Sequence, residues 1–442
     1  MAPNKLIIDT DPGIDDALAL LLALSAKEEE AEVKLISCVN GNIPVRQALE
    51  NAVSMFHIID RELEWRRKNN LPEGFEALKK CKPVLAVGAD GPFLTEDTVI
   101  ADYFHGVDGL GNVHSSHPHL NPTEAWEHAF HAPWATEDGA AATQGKAAED
   151  FDKHYHLFTP SKDPSYKEIL RVLRDNEPNT ITIVALGPLT NLALAAREDP
   201  ETFVKAKEIA IMGGAIDWPG NVTAVAEFNV FADPFASAVV YAFTSPDPTS
   251  TFPPKAAELG FRPPSTSERI KVKLFPLDVT TRHRLSRGLF NSKTTDLVAK
   301  GSPLAEWLSP MVGHTLALMD NTSTVHKGDD KTSMSLHDPL TAWYAVTATN
   351  PAWKVSEKSP MDLRIETLGQ WAKGACVYDR RTRQMIEEES ETDGVDKAEK
   401  AAKKGSDHGN WLNPKKGNRI NVITGTPGED IFAGELLDRI LA

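Results

Sequence analysis

KLIIDTDPGIDDALALLLAL, residues 5–24, sets an apolar run, a Pro-Gly turn and a leucine-rich helical pattern in immediate succession. The run Leu6 to Ile8 lacks polar alternation, which suits a parallel strand covered on both faces. Pro12 and Gly13 end that strand, and the stretch after Asp16 carries no charge, which predicts a core helix. Four aspartates, Asp9, Asp11, Asp15 and Asp16, gather at the turn. Carboxylates this close repel one another, so the fold must neutralise them with a metal, with protons or with basic partners. Hard oxygen donors of this kind favour Ca²⁺ or Mg²⁺ over Zn²⁺. A plainer alternative has Asp9 ending the strand and Asp15 and Asp16 complementing the positive end of the helix.

The same order of strand, turn and helix recurs outward from this stretch. VKLISCV from Val33, PVLAVG from Pro83, TITIVALG from Thr180, EIAIMGG from Glu208 and IKVKLF from Ile270 are strand-like, and helical patterns such as PLTNLALAARE and DPFASAVVYAF follow several of them. Repetition of this unit predicts an α/β fold with an open, mostly parallel sheet flanked by helices. In such sheets ligands bind beyond the carboxyl ends of the strands, where DTDPG, VNGN, VALGPLTN and IMGGA would all lie. We expect a single domain over residues 1–442, with surface insertions at 61–80, 114–164, 245–268 and 382–416. The second of these holds seven histidines without helical metal-ligand spacing and reads as a solvated loop.

A formal net charge of -16 argues against nucleic acid or an anionic membrane as partner. Cys38, Cys81 and Cys376 form neither a CxxC pair nor a disulfide framework, which fits a reducing compartment. The N-terminus enters a strand without the pattern of a signal peptide, and no apolar run approaches a membrane span. These features lead us to expect a cytoplasmic protein.

Five further patterns place polar groups where apolar segments end: VNGN with Asn42, HGVDGLGN with His105 and Asp108, ALGPLTN with Thr190 and Asn191, GNVTAVAEFN with Asn221, Glu227 and Asn229, and HDP with His337 and Asp338. Together with DTDPGIDDA, and in this order, they closely resemble the nucleoside hydrolase family, the inosine-uridine-preferring nucleoside N-ribohydrolases. The resemblance implies Ca²⁺-dependent hydrolysis of the N-glycosidic bond of a ribonucleoside, in nucleoside salvage. It implies a Ca²⁺ site made by the carboxylates of Asp11, Asp16 and Asp338 and the backbone carbonyl of Thr190. Asp11 would also be the general base that takes a proton from the attacking water, with Asp9 supporting the loop from behind.

By the same resemblance, Asp15 hydrogen-bonds the 2′-hydroxyl, Asn42 and Asn229 lie near the 2′- and 3′-hydroxyls, Asn221 and Glu227 hold the 5′-hydroxyl, and Met212 lines the sugar pocket. His105 and His337 lie near the base, and His337, beside a metal ligand, is the preferred general acid or proton relay. A 5′-phosphate would meet repulsion from Glu227, so the substrate is a nucleoside. Relatives assemble as homodimers or homotetramers. The chemistry asks for such groups, because glycosidic cleavage passes through an oxocarbenium-like sugar with water activated on the opposite face.

Two rivals remain at this stage. An aspartate-nucleophile phosphotransferase explains Asp9 and Asp11 but not Asp15, Asp16, AEFN or HDP. A catalytically silent nucleoside-binding or regulatory protein of the same fold keeps the residues and lacks turnover. Locally, Asn191 reads equally as a helix cap, Phe228 as core, Asp233 as the N-cap before Pro234, and Trp126, Trp134 and Trp218 as insertion residues able to cover a base.

Overall fold

β1 (Asn4–Thr10) runs through the middle of a sheet in which every neighbour it touches is parallel. The computed structural model describes residues 2–94, 98–122, 126–130, 155–322, 328–381 and 407–441. Among these, β2 (Ala31–Cys38), β3 (Val84–Val87) and β4 (Thr159–Pro160) extend the sheet to one side of β1. On the other side come β5 (Ile181–Ala185), β6 (Glu208–Met212), β7 (Val272–Phe275), Ile420–Gly425 and, antiparallel to that last strand, Lys354–Val355. The chain therefore reverses its direction of growth between β1 and β5, and a crevice opens there at the carboxyl ends of the strands.

Alternate residues of β1 enter different cores. Leu6 and Ile8 join α1 (Ile14–Leu24), α2 (Val45–Lys68) and the helices Pro303–Thr322, His337–Thr347 and Glu429–Leu441. Ile7 joins the opposite layer, built from the helices Ser165–Arg174, Thr190–Glu198 and Pro234–Ala242. This is the period of two expected of a strand buried on both faces. Every residue of α1 is buried, and each of its leucines contributes about 1.5–3 kcal/mol of apolar burial. α1 packs along the His337–Thr347 helix, which carries Asp338 to the first turn of α1 beside Asp15 and Asp16.

The segments expected to be surface additions are more integral than their composition implies. Residues 61–68 complete α2, where Arg66 pairs with Glu62 at 2.8 Å with both side chains buried. Glu62 also accepts from Ser302 Oγ at 2.7 Å, and Arg66 donates to the carbonyl of Ile440 at 2.9 Å. Phe75 and Leu78 are buried as well. A pair of this kind looks like solvated helix surface in sequence because the partners that satisfy it are remote. Within 114–164, Leu120, Trp126, Phe130, Tyr155 and Phe158 join the core beside α2. His114 bonds Asn51 and Asn121 rather than solvent. Within 245–268, Ala256 and Phe261 are core residues. Residues 382–406 of the last segment, with Trp134 and most of 123–154, lie outside the described residues.

Candidate active site

The ends of β1, β2 and β3 are knitted together by side chains. Asp9 accepts hydrogen bonds from Ser37 Oγ and, at 2.9 Å, from Asn191 Nδ2. The Asn191 amide also donates to the carbonyl of Cys38 at 3.0 Å and accepts from the N–H of Ala89 at 2.8 Å. Asn191 is thus a brace between strand ends rather than a cap. A Cβ at Gly88 would collide with it, which accounts for glycine at the end of β3.

Beyond β1 the chain turns so that Asp11 and Asp16 sit fully buried behind Asn42. Asp16 accepts from Thr10 Oγ1 at 2.5 Å, from the N–H of Gly13 at 3.0 Å and from Asn42 Nδ2 at 2.9 Å. Asp11 Oδ2 accepts the N–H of Asn42 at 2.7 Å, while Asp11 Oδ1 and Asp9 Oδ2 are buried with no hydrogen-bond partner. Burial, with Asp16 beside it, pushes the Asp11 carboxyl well above the usual range, and burial raises Asp9 to about 7. Oxygens of Asp15, Asp16 and Asp338 lie within 4.8 Å of one another and form a set that could hold a metal ion. Burial, then the neighbouring acids, raises Asp15 to about 7 and Asp338 well above the ordinary value. Orphaned buried oxygens beside converging carboxylates are the features that a hard divalent cation resolves.

Above these acids opens a cavity of about 220 Å³ lined by Asp15, Asn42, His105, Met212, Asn221, Glu227, Asn229, His337 and Asp338. Ala101, Tyr103, Phe104, Leu186 and Phe228 complete its wall. Glu227 is the N-cap of a short helix, accepting from the N–H groups of Asn229 at 2.8 Å and Val230 at 3.2 Å. Its Oε2 also takes the N–H of Gly214 at 2.8 Å, where the backbone is left-handed, so the glycines after β6 do serve a turn. Asn229 donates to the carbonyls of Leu186 at 2.5 Å and Met212 at 3.4 Å, joining the ends of β5 and β6.

The profile of the inosine-uridine preferring nucleoside hydrolase family matches residues 6–405. The chain belongs to that family. It is a ribonucleoside hydrolase, acting on N-glycosyl bonds. An uncharacterized protein of Schizosaccharomyces pombe is 29% identical over 376 residues, 85% of this chain and 89% of its own. The inosine-uridine preferring nucleoside hydrolase of Leishmania major is 27% identical over 379 residues, 86% and 88% of the two chains. The solved purine-preferring ribonucleoside hydrolase of Gardnerella vaginalis shares the fold with a TM-score of 0.61 at 21% identity, covering 99% of this chain and 98% of that one.

In this hydrolase one residue expected to be a ligand stands outside the cavity. Thr190 does not reach the cavity: it opens the helix Thr190–Glu198, where its carbonyl enters the helical hydrogen-bond pattern, and its hydroxyl donates to Asp233 at 2.8 Å. After β5 it is Leu186 that lines the cavity, and its carbonyl accepts the Asn229 amide. Asp11 and Asp16 lie behind the lining, and Asp15 rather than Asp11 groups with Asp16 and Asp338. Asp233 caps the following helix through Ala236, as expected, and Trp126 is buried against Phe130, away from the cavity. Phe228 is buried and also lines the cavity. Tyr103 and Phe104 were missed, because an aromatic pair before HGVDG carries no periodic or motif signal.

Both histidines are neutral near pH 7. The N–H of Ile14, the first amide of α1, donates to His105 Nδ1 at 3.1 Å, which fixes the proton on Nε2. Burial lowers His105 to about 4. Thr280 Oγ1 lies 2.7 Å from His337 Nδ1, and burial followed by Arg284 lowers His337 to about 4.

Proposed function

We propose that this nucleoside hydrolase is a Ca²⁺-dependent enzyme of nucleoside salvage that releases free base and ribose from ribonucleosides in the cytoplasm. The observation that carries the reading is that Asp15, Asn42, Asn221, Glu227, Asn229 and Asp338, dispersed in sequence, line one cavity above the buried acids Asp11 and Asp16. Asp15, Asn42 and Asn229 hold the 2′- and 3′-hydroxyls, and Asn221 and Glu227 hold the 5′-hydroxyl. Glu227 accepts three backbone N–H groups, one on Oε1 and two on Oε2, which leaves Oε1 able to accept a hydroxyl, and its charge repels a 5′-phosphate. Three cysteines, none in a disulfide, agree with a reducing compartment.

A cation would be held by Asp11, Asp16 and Asp338, with Asp15 and the Leu186 carbonyl beside them. When bound, it neutralises these acids and serves as a template for a water molecule and a vicinal diol. The partnerless oxygen of Asp11 takes the proton of the attacking water. Phe104, Tyr103 and Phe228 surround the base with apolar surface, and His105 and His337 offer it hydrogen-bond donors as it leaves with added electron density.

Replacing His337 with alanine is expected to slow release of a natural base about a hundredfold, while hydrolysis of nitrophenyl riboside, whose leaving group needs no donor, changes far less. Equal losses on the two substrates would remove the leaving-group role. Metal stabilisation is expected to depend on pH with a definite sign. Asp9 and Asp15 bind protons more tightly in the cation-free fold than in the unfolded chain, so that fold loses stability as pH rises from 3.8 through about 7. Ca²⁺ beside Asp15 displaces its proton, so the rise in Tm on adding it should be larger at about pH 8 than at about pH 5. A larger rise at the lower pH would contradict cation binding by these acids.

The test of function is chromatography of the products from uridine, cytidine, inosine, adenosine and guanosine. Free base with free ribose in equal amounts is expected. Release of phosphate from nucleotides instead, or no release while nucleoside binds, would overturn the assignment.

A further inference from the structure

We propose that Asp278 is a positioning residue for the 5′-hydroxyl end of the nucleoside, acting through the loop that carries Asn221. The proposal rests on the reading of the cavity as a ribonucleoside site. Asp278 stands in the helical turn Leu277–Thr280, directly after β7. Its Oδ2 accepts the N–H of Ile216 at 2.9 Å, and its Oδ1 accepts the N–H groups of Asp217 at 2.8 Å and Trp218 at 3.1 Å. Leu277 beside it donates to the carbonyl of Gly214 at 2.9 Å. The turn after β7 thus grips the chain leaving β6 over five residues, just before it reaches Asn221.

Ile216 is packed into the core, but packing does not hold the loop beyond it. Residues 217–219 and Asn221 are exposed, and Trp218 is 52% accessible. Other ties are polar: Tyr378 donates to Asp217 at 2.8 Å, Arg380 donates to the carbonyl of Ile216 at 2.9 Å and to Asp217 at 3.2 Å, and Ala226 bridges Ala375. Asp278 accepts three successive N–H groups, each bond charge-assisted, and so makes more such bonds to this stretch than either Tyr378 or Arg380. It fixes where Asn221 stands. Asn221 Oδ1 is in turn committed to the N–H of Phe228 at 2.9 Å, so the amide group of Asn221 is what it can offer to a hydroxyl in the cavity. Asparagine at 278 would keep the volume but turn an NH₂ group toward an N–H, and the loop would lose its register.

The same turn also carries Thr280, the partner of His337. An effect of Asp278 transmitted through His337 would act on the base, whereas one transmitted through Asn221 acts on the 5′ end. Kinetics of the full-length enzyme on its best nucleoside and on the 5′-deoxy counterpart separate the two. D278N is expected to raise KM for the nucleoside about tenfold with a small change in kcat, and to leave KM for the 5′-deoxy substrate within about twofold. Added to N221A it should cost little more, because both substitutions remove one contact. Equal losses on both substrates, full additivity with N221A, or no change in KM would each overturn the proposal. If D278N does not fold, Y378F loosens the same loop and must shift KM for the nucleoside alone; an equal shift on both substrates overturns the proposal. Absence of base release by the unsubstituted enzyme from either substrate would instead refute the hydrolase reading on which the proposal stands.

Discussion

Asp11→Asn is expected to lower kcat about a thousandfold while Tm and circular dichroism stay native. The substitution keeps volume and keeps an oxygen for the N–H of Asn42, which Asp11 Oδ2 accepts at 2.7 Å. What it removes is the charge and the partnerless second oxygen, the group we propose takes a proton from water. Neutralising a buried acid among acids also relieves repulsion, since Asp16 raises the Asp11 carboxyl. The variant should therefore be no less stable than the parent without metal, and should bind Ca²⁺ more weakly. A near-native kcat would show that Asp11 is not the base.

Gly41→Ala is expected to cost about a hundredfold in turnover, although no atom of residue 41 lines the cavity. A Cβ there would overlap the Asp11 carboxylate and approach Pro188 Cδ to 2.7 Å. Gly187 presses the same carboxylate from the β5 side, where a Cβ would fall 2.5 Å from Asp11 Oδ1. The two glycines form a slot that admits the acid in one orientation, and a methyl group in either wall forces it out. Backbone strain is not involved, because Gly41 does not occupy the left-handed region. Gly313→Ala serves as the control, since a Cβ there meets nothing within 4 Å. Unchanged turnover in the Gly41 variant would mean that the orientation of Asp11 is unimportant.

The architecture around β1 was legible because strand, Pro-Gly turn and apolar helix follow within twenty residues and each leaves its own periodic signature. The cavity side chains were legible for another reason: Asp15, Asn42, Asn221, Glu227, Asn229 and Asp338 are polar groups at the ends of apolar segments, which the sheet topology collects at one edge. Failures occurred where the acting group has no side-chain signature. A backbone carbonyl can belong to any residue, so nothing in the sequence points to Leu186, and the start of the helix at Thr190 keeps Thr190 out of the cavity lining. Long-range satisfaction was equally hidden. Glu62 and Arg66 look like solvated helix surface until Ser302 and Ile440 are seen against them, and Asp278 carries no motif that points to the loop it holds.

The central claim is that glycosidic cleavage depends on a hard cation seated among Asp11, Asp16 and Asp338. It is tested most directly by chelating the purified enzyme, titrating Ca²⁺ back and following free-base release against bound metal. Activity should disappear on chelation and return in proportion to occupancy, reaching its maximum at about one ion per chain. Full activity in the chelated enzyme, or Ca²⁺ binding that restores nothing, would contradict it.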